Sequence, residues 1–458
     1  MAQIIFMGEN MLADKNNTIV AISTPLGTGA ISIVRLSGED AIIIADKLFS
    51  SLKGQKPSSF MARRLELGFF DAKNFKEQIL CVVFKAPFSY TGENLVEFQC
   101  HGGVKIAEGV VKACIDKGAR LAESGEFTRR AFINGKISLD KAEGVMDMIN
   151  AESEAEIRAG FNLLGGELGK VATAAQKKLT DLLSDIEVSF DYPEEDIEYT
   201  TKEKVKHKLS EINGNLSALI KTSNAGRQIK DGISLLILGE PNVGKSSLLN
   251  ALTKSERAIV TSIAGTTRDT IEETILINGL KYKLIDTAGI HDTEDEVEKI
   301  GIDRAKALIS GADLVLCLVD CSKETSDKDK EVLSLTNSSK RIIVGNKKDK
   351  TNKPKQNADI YISTKSEKDV DNLKDLIYAQ TADKNVSSGL VITNLRHLDA
   401  IKRANKHIEN ALKNIETQTL DLISIDLNLA YSALGEITGS TTGEDIINSI
   451  FSKFCLGK

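Results

Sequence analysis

Gly239-Glu240-Pro241-Asn242-Val243-Gly244-Lys245-Ser246-Ser247 is the stretch around which the rest of the chain arranges itself. It follows the apolar run Ile233-Ser234-Leu235-Leu236-Ile237-Leu238, which has the length and content of a buried parallel strand. It precedes Leu248-Leu249-Asn250-Ala251-Leu252, the start of a helix. Strand, glycine-rich loop and helix with G-x-x-x-x-G-K-S spacing make a phosphate-binding loop. The glycines let backbone N–H groups converge on phosphates, Lys245 can reach the terminal ones, and the Ser246 hydroxyl can hold Mg²⁺. A glycine-rich turn with an incidental lysine would look the same locally. Four stretches downstream decide between them.

Asp286-Thr287-Ala288-Gly289 follows the apolar Tyr282–Ile285; the acid can hold Mg²⁺ through water and the Gly289 amide can sense a γ-phosphate. Between this motif and the loop lies Thr266-Thr267-Arg268-Asp269, where Thr267 can complete the Mg²⁺ shell. Asn346-Lys347-Lys348-Asp349 follows Ile342-Ile343-Val344, and Asp349 can accept from guanine N1–H and its 2-amino group. Adenine offers neither donor, so ATP would leave a buried carboxylate unpaired. Ser363-Thr364-Lys365, after the strand Asp359–Ile362, would back the base with a main-chain amide. Five motifs in order, each at a strand end, define a GTPase. The residue after Gly289 is Ile290, where Ras-type enzymes carry a water-orienting glutamine. Isoleucine cannot hydrogen-bond water, so hydrolysis is either slow or assisted by other groups.

The whole chain bounds what surrounds this domain. Its 458 residues suggest about three domains. With 41% apolar and 27% charged residues it reads as globular, and no run is apolar enough to span a bilayer. A net charge of −6 argues against gripping nucleic acid unaided. Six scattered cysteines fit free thiols in a reducing cytoplasm. Residues 1–17 read as an extension, with Met7 and Met11 as alternative starts. Residues 18–123 mix strands and helices in an α/β domain. Residues 124–227 and 381–458 carry helical spacing, including single helical stretches over 139–160 and 202–223, and form one all-α domain. The acidic Asp191-Tyr192-Pro193-Glu194-Glu195-Asp196 reads as a solvated inter-helix turn. Residues 228–380 alternate strand and helix as a doubly wound, Ras-like G-domain inserted into the helical one.

The motifs together resemble the tRNA-modification GTPase family called MnmE or TrmE, from Thr18 nearly to the end. The resemblance is carried by Phe84–Glu93, Cys100-His101-Gly102-Gly103, Gly125–Lys136 and the tail Cys455-Leu456-Gly457-Lys458. Ser124 and His291 depart from it, standing where proline and arginine are usual. The resemblance implies a cytoplasmic homodimer whose N-terminal domain binds a tetrahydrofolate one-carbon donor, of methylene or formyl type. With an FAD-carrying partner of the GidA/MnmG family, in a heterotetramer or larger complex, it would build an aminomethyl-type group, carboxymethylaminomethyl, at C5 of the wobble uridine of tRNA. It would meet tRNA mainly through that complex. The folate contacts would be Arg35, Glu97, Lys136 and Lys458, with Cys455 a candidate reactive thiol. The nucleotide contacts would extend over Thr261, Ser262, Ile263, Ala264, Gly265, Thr266 and Thr267. A K⁺ ion held by Asn242, Thr261, Ile263 and Thr266 would stand where an arginine finger acts, and Glu298 would position water, joining Lys245 and Thr267 in catalysis. Two other classes remain in view: a ribosome-assembly or signalling switch, which has no use for folate, and a dimerisation scaffold, which has no use for an intact Lys245, Asp286 and Asp349.

Overall fold

The computed structural model describes residues 18–191, 201–254, 273–286, 306–387 and 389–458. The extension 1–17 and the acidic turn from Tyr192 onward lie outside them. The chain forms two compact units, one from residues 1–146, 163–196 and 427–458, the other from 147–162 and 197–426. Among the described residues no helix is long and apolar enough to cross a membrane. All six cysteines are free; Cys455 alone is exposed.

The first unit opens with β1 (Ile19–Ile22), β2 (Ile31–Ser37), α1 (Ala41–Leu48), β3 (Phe49–Ser51), β4 (Glu66–Ala72), β5 (Phe75–Phe84), β6 (Leu95–His101), α2 (Val104–Ile115) and β7 (Arg120–Leu121). They form one sheet in the order β3-β4-β5-β6-β2-β1-β7, antiparallel except where β7 lies parallel to β1. Alternation decides the faces. Val34, Leu36, Phe70, Phe98 and the α1 and α2 residues Ile44 and Val110 close one face as a core. The opposite face carries the cross-strand row Leu67, Leu80, Gln99 and Ile33. Leu67, Phe69 and Ile31 on that side are 41%, 43% and 59% exposed. The strands β3 and β7, of three and two residues, escape sequence reading because so short a run has no periodicity.

The chain continues through α3 (Glu126–Ile133), α4 (Leu139–Ile149), α5 (Glu154–Leu164) and α6 (Glu167–Asp191). The single helix expected over 139–160 is therefore two. Ser153 accepts from the Glu156 amide at 3.2 Å while Glu156 accepts from the Glu152 amide at 2.9 Å, a reciprocal cap that starts a new helix.

Glu126, at the start of α3, is buried and bound by Arg120 at 2.6 and 2.8 Å, by the Glu123 amide at 2.9 Å and by Arg130 at 2.9 Å. Burial pushes its pKa up, but Arg120, the Glu123 amide and Arg130 outweigh burial and hold it below the ordinary 4.5. A lowered carboxylate pKa stabilises the fold above the unfolded value and loses that contribution as pH falls through the folded one. Glu126→Gln is expected to lower stability at pH 7 by about 1–3 kcal/mol. The gap to wild type should close as pH drops below 4.5. Thermal unfolding of both proteins across pH 3–7 checks this; a gap independent of pH would assign the loss to packing.

The second unit holds α7 (Lys202–Lys221), α8 (Ser223–Asp231), β8 (Ile233–Gly239), α9 (Lys245–Lys254), β9 (Glu273–Ile277), β10 (Leu280–Asp286), β11 (Leu314–Asp320), α10 (Asp327–Leu335), β12 (Arg341–Asn346), β13 (Ile360–Tyr361), α11 (Glu367–Thr381) and α12 (Leu395–Asn414). The stretch expected as one helix over 202–223 ends at Lys221, and α8 follows. The sheet runs β13-β12-β11-β8-β10-β9; β9 is antiparallel to β10, and the other pairs are parallel. Every residue of β11 is buried, as its unbroken apolar run demands of a central parallel strand. Asn278 and Gly279, both at positive φ, close the β9–β10 hairpin in two residues. The remaining helices are α13 (Leu420–Thr438) and α14 (Glu444–Phe451). In the first unit, Phe451 and Phe454 pack with Phe132 and Leu139, so α14 seats the C-terminal tail.

Candidate functional site

Parallel strands leave their C-terminal ends on one edge of the sheet, where ligands of doubly wound folds bind. β8 delivers the phosphate loop there, and its Ile237 stands in register with Asp286, the last residue of β10. Val243 is buried, whereas Asn242, Ser246 and Ser247 are exposed. Lys245 Nζ donates to the carbonyls of Gly239 at 2.8 Å and Glu240 at 2.9 Å, so the ammonium lies folded against the loop. Gly244 takes φ +104°, and a Cβ there would sit 2.3 Å from Asn346 Nδ2. Only glycine leaves that cradle open.

The base-reading loop is stapled to this one. Asn346 Nδ2 donates to the Val243 carbonyl at 2.8 Å, and Lys347 Nζ to the Asn242 carbonyl at 2.7 Å. Asn346 is 2% exposed and its Oδ1 has no partner among the described residues. Asp349 accepts from Lys365 Nζ and from Ser363 Oγ, both at 3.0 Å. Lys365 first, then Ser363, hold its carboxyl below the usual range. The Asp349 side chain is 35% exposed, so a base laid against it would still have water to displace. The Ser363 amide donates to Asp369 Oδ2 at 2.9 Å, so the main-chain amide expected to back the base would come from elsewhere in Ser363-Thr364-Lys365. Thr364 is half-buried between them.

Thr261, Ser262, Ile263, Ala264, Gly265, Thr266, Thr267, Arg268, Thr287, Ala288, Gly289, Ile290, His291 and Glu298 lie outside the described residues. Asp320, missed by motif reading, joins the site through Lys347 Nζ at 2.8 Å. The signal was present: it is the acid that ends the apolar run Leu314–Val319.

A second cluster occupies the open face of the first unit's sheet. Arg35 and Glu97 are register partners on β2 and β6, and Arg35 Nε and NH2 both reach Glu97 Oε1 at 2.9 Å. The guanidinium lies 5.8 Å from the Tyr90 ring centre and 5.7 Å from that of Phe127. Sequence reading missed both rings, since neither stands in a recognisable spacing with Arg35. The tail docks here: Ser23 Oγ donates to the Gly457 carbonyl at 3.1 Å, and Arg35 NH1 approaches it at 3.5 Å. Gly457 has φ +86°, and a Cβ would stand 2.1 Å from the Ile22 carbonyl. Burial first, then Arg35, lowers the Lys458 pKa, against the opposing pull of Cys455 and Glu97. Arg35, Glu97 and Lys458 thus come together. Lys136 instead donates to the Pro87 carbonyl at 2.9 Å on the neighbouring loop.

A phosphate loop stapled to an Asn-Lys-x-Asp loop at one sheet edge defines a GTPase-type nucleotide-binding protein. A family model described as "GTP-binding protein TrmE N-terminus" matches residues 18–136, and one described as "MnmE helical domain" matches residues 139–455. A relative from Lactobacillus johnsonii, "tRNA modification GTPase MnmE", is 42% identical over 457 residues, covering 96% of this chain and 98% of its own. The protein of the same description from Clostridioides difficile is 39% identical, covering 97% and 99%. The chain belongs to the MnmE (TrmE) family.

Proposed function

We propose that this chain is a GTP hydrolase of tRNA modification, acting in the cytoplasm. With an FAD-carrying partner of the GidA/MnmG family it would modify C5 of the wobble uridine, using a tetrahydrofolate one-carbon donor. The observation that carries the GTPase part is the double staple of Asn346 and Lys347 onto the carbonyls of Val243 and Asn242. It ties base recognition to the phosphate loop, so one nucleotide would span both. Asp349→Asn tests it, because the amide reverses one hydrogen-bonding role at the purine edge. GTP affinity should fall by about 10–100-fold while xanthosine triphosphate gains, read by calorimetry. A variant that still prefers GTP would overturn the assignment.

The loop's residues suit the metal ions that the family implies. Ser246, exposed at the start of α9, would hold Mg²⁺ together with Thr267, and the ion would neutralise phosphate charge. Exposed Asn242, at φ +64°, would share K⁺ with Thr261, Ile263 and Thr266; that ion would supply positive charge beside the phosphates. Equal GTP turnover in KCl and NaCl at constant ionic strength would remove potassium from this reading.

The Arg35, Glu97 and Lys458 cluster suits a folate: two cations for its glutamate carboxylates and one carboxylate for the amino edge of its pterin. The apolar row beside it, with Leu67, Phe69 and Ile31 exposed, suits a second copy of the chain as its cover. A monomer in sedimentation velocity at micromolar concentration would remove the homodimer.

A further inference from the structure

We infer that Asp320 is a positioning residue: by holding the Lys347 ammonium it keeps the base-reading loop clamped to the phosphate loop, and so sets nucleotide affinity. This rests on the GTPase reading above. Asp320 ends β11 and stands in register with Asn346 at the end of β12, and the Cys321 amide donates to the Asn346 carbonyl at 3.1 Å. The two strand ends therefore fix the carboxylate beside the base-reading loop. Lys347 holds a left-handed backbone, φ +65°, which is unfavourable for a non-glycine residue. Such a conformation persists where the side chain is tied down. The ammonium is tied at both sides, to the Asn242 carbonyl at 2.7 Å and to Asp320 Oδ2 at 2.8 Å. The Asp320 side chain is only 9% exposed and that of Lys347 22%, so the pair is little screened by solvent. Burial pushes the Asp320 pKa up, yet Lys347 and the Ser322 hydroxyl and amide hold it below the ordinary range.

A purely local role for Asp320 has to be separated from this one. Its Oδ1 accepts from the Ser322 amide at 3.1 Å and hydroxyl at 2.6 Å, a turn that any side-chain carbonyl would support. Asp320→Asn keeps that acceptor and removes the anion facing Lys347. It should weaken GTP and GDP binding about tenfold and raise KM while kcat at saturating GTP holds. Lys347→Met also loses the bond to the Asn242 carbonyl, so it should cost at least as much, and the double variant should lose no more than Lys347→Met alone, because the Asp320 contact is already gone. The measurements are calorimetric affinities, steady-state kinetics, and thermal midpoints without nucleotide for wild type, both single variants and the double variant. Unchanged affinity in Asp320→Asn, or losses that add in the double variant, overturns the inference and leaves the GTPase reading standing. A lowered thermal midpoint with kcat falling alongside affinity also overturns it, because it assigns Asp320 to the turn alone. If the wild type itself binds no GTP, the GTPase reading falls and takes this inference with it.

Discussion

Lys245→Ala is expected to cut nucleotide affinity by about 10²–10³-fold and to remove hydrolysis, while the protein unfolds at nearly the wild-type temperature. The first half follows from charge: swung from the two loop carbonyls onto phosphate, the ammonium would make a charge-assisted contact, and a positioned donor of that kind contributes about 2.7–4 kcal/mol at the transition state. The second half follows from where the ammonium rests. Its partners are the carbonyls of Gly239 and Glu240, at the mouth of a loop whose neighbours Asn242 and Ser246 are exposed. Water can satisfy those carbonyls once the lysine is gone, so little stability is lost. Gly244→Ala is the companion variant. It keeps the lysine but drives a methyl to within 2.3 Å of Asn346 Nδ2, breaking the staple that holds the loop. Calorimetric titration with GTP and a thermal scan check both. A Lys245→Ala protein that binds GTP as tightly as wild type would mean that the loop is not the phosphate site.

Much of this was legible from residue order because its signals are local. Apolar runs that end in Gly239, Asp286 and Asn346 announce strands and their functional ends; in the sheet β8 pairs with β10, and β11 stands between β8 and β12, all parallel. What escaped was either a local signal left unread or a contact between distant positions. The Asn278-Gly279 pair that turns Glu273–Ile277 back to lie antiparallel on β10 is a local hairpin signal of the first kind. Whether 139–160 is one helix or two turns on a hydrogen bond between Ser153 and the Glu156 amide, which competes with helical pairing. The Arg35 cluster was legible only in part: the resemblance named Arg35, Glu97 and Lys458 but gave no sign of Tyr90 or Phe127. Its members come from positions 35, 90, 97, 127 and the tail at 457–458, and only the sheet register with the docking of α14 brings them together.

Glu97→Gln is expected to weaken binding of a reduced folate by about 10–100-fold and to loosen the tail, with GTP affinity unchanged. Glu97 is the anion that holds Arg35, through both Nε and NH2. Their side chains are 15% and 17% exposed, so the pair has shed most of its water, and losing one partner leaves the other charge poorly compensated. Arg35 and Lys458 would then repel each other with no carboxylate between them. The Lys458 pKa, already lowered by burial and by Arg35, would fall further, since Glu97 is one of the groups now raising it. Arg35, no longer anchored, would lose its place between Tyr90 and Phe127 and would meet a folate carboxylate less well. Two comparisons separate the effects. Removing Cys455–Lys458 should cost folate affinity while sparing the Arg35–Glu97 pair. Glu97→Gln should cost both affinity and the tail's protection from carboxypeptidase, because Arg35 also approaches the Gly457 carbonyl. Calorimetry with 5-formyltetrahydrofolate and timed carboxypeptidase digestion supply the readings. Folate binding as tight as wild type in Glu97→Gln would remove this cluster from the folate site, whatever the tail does.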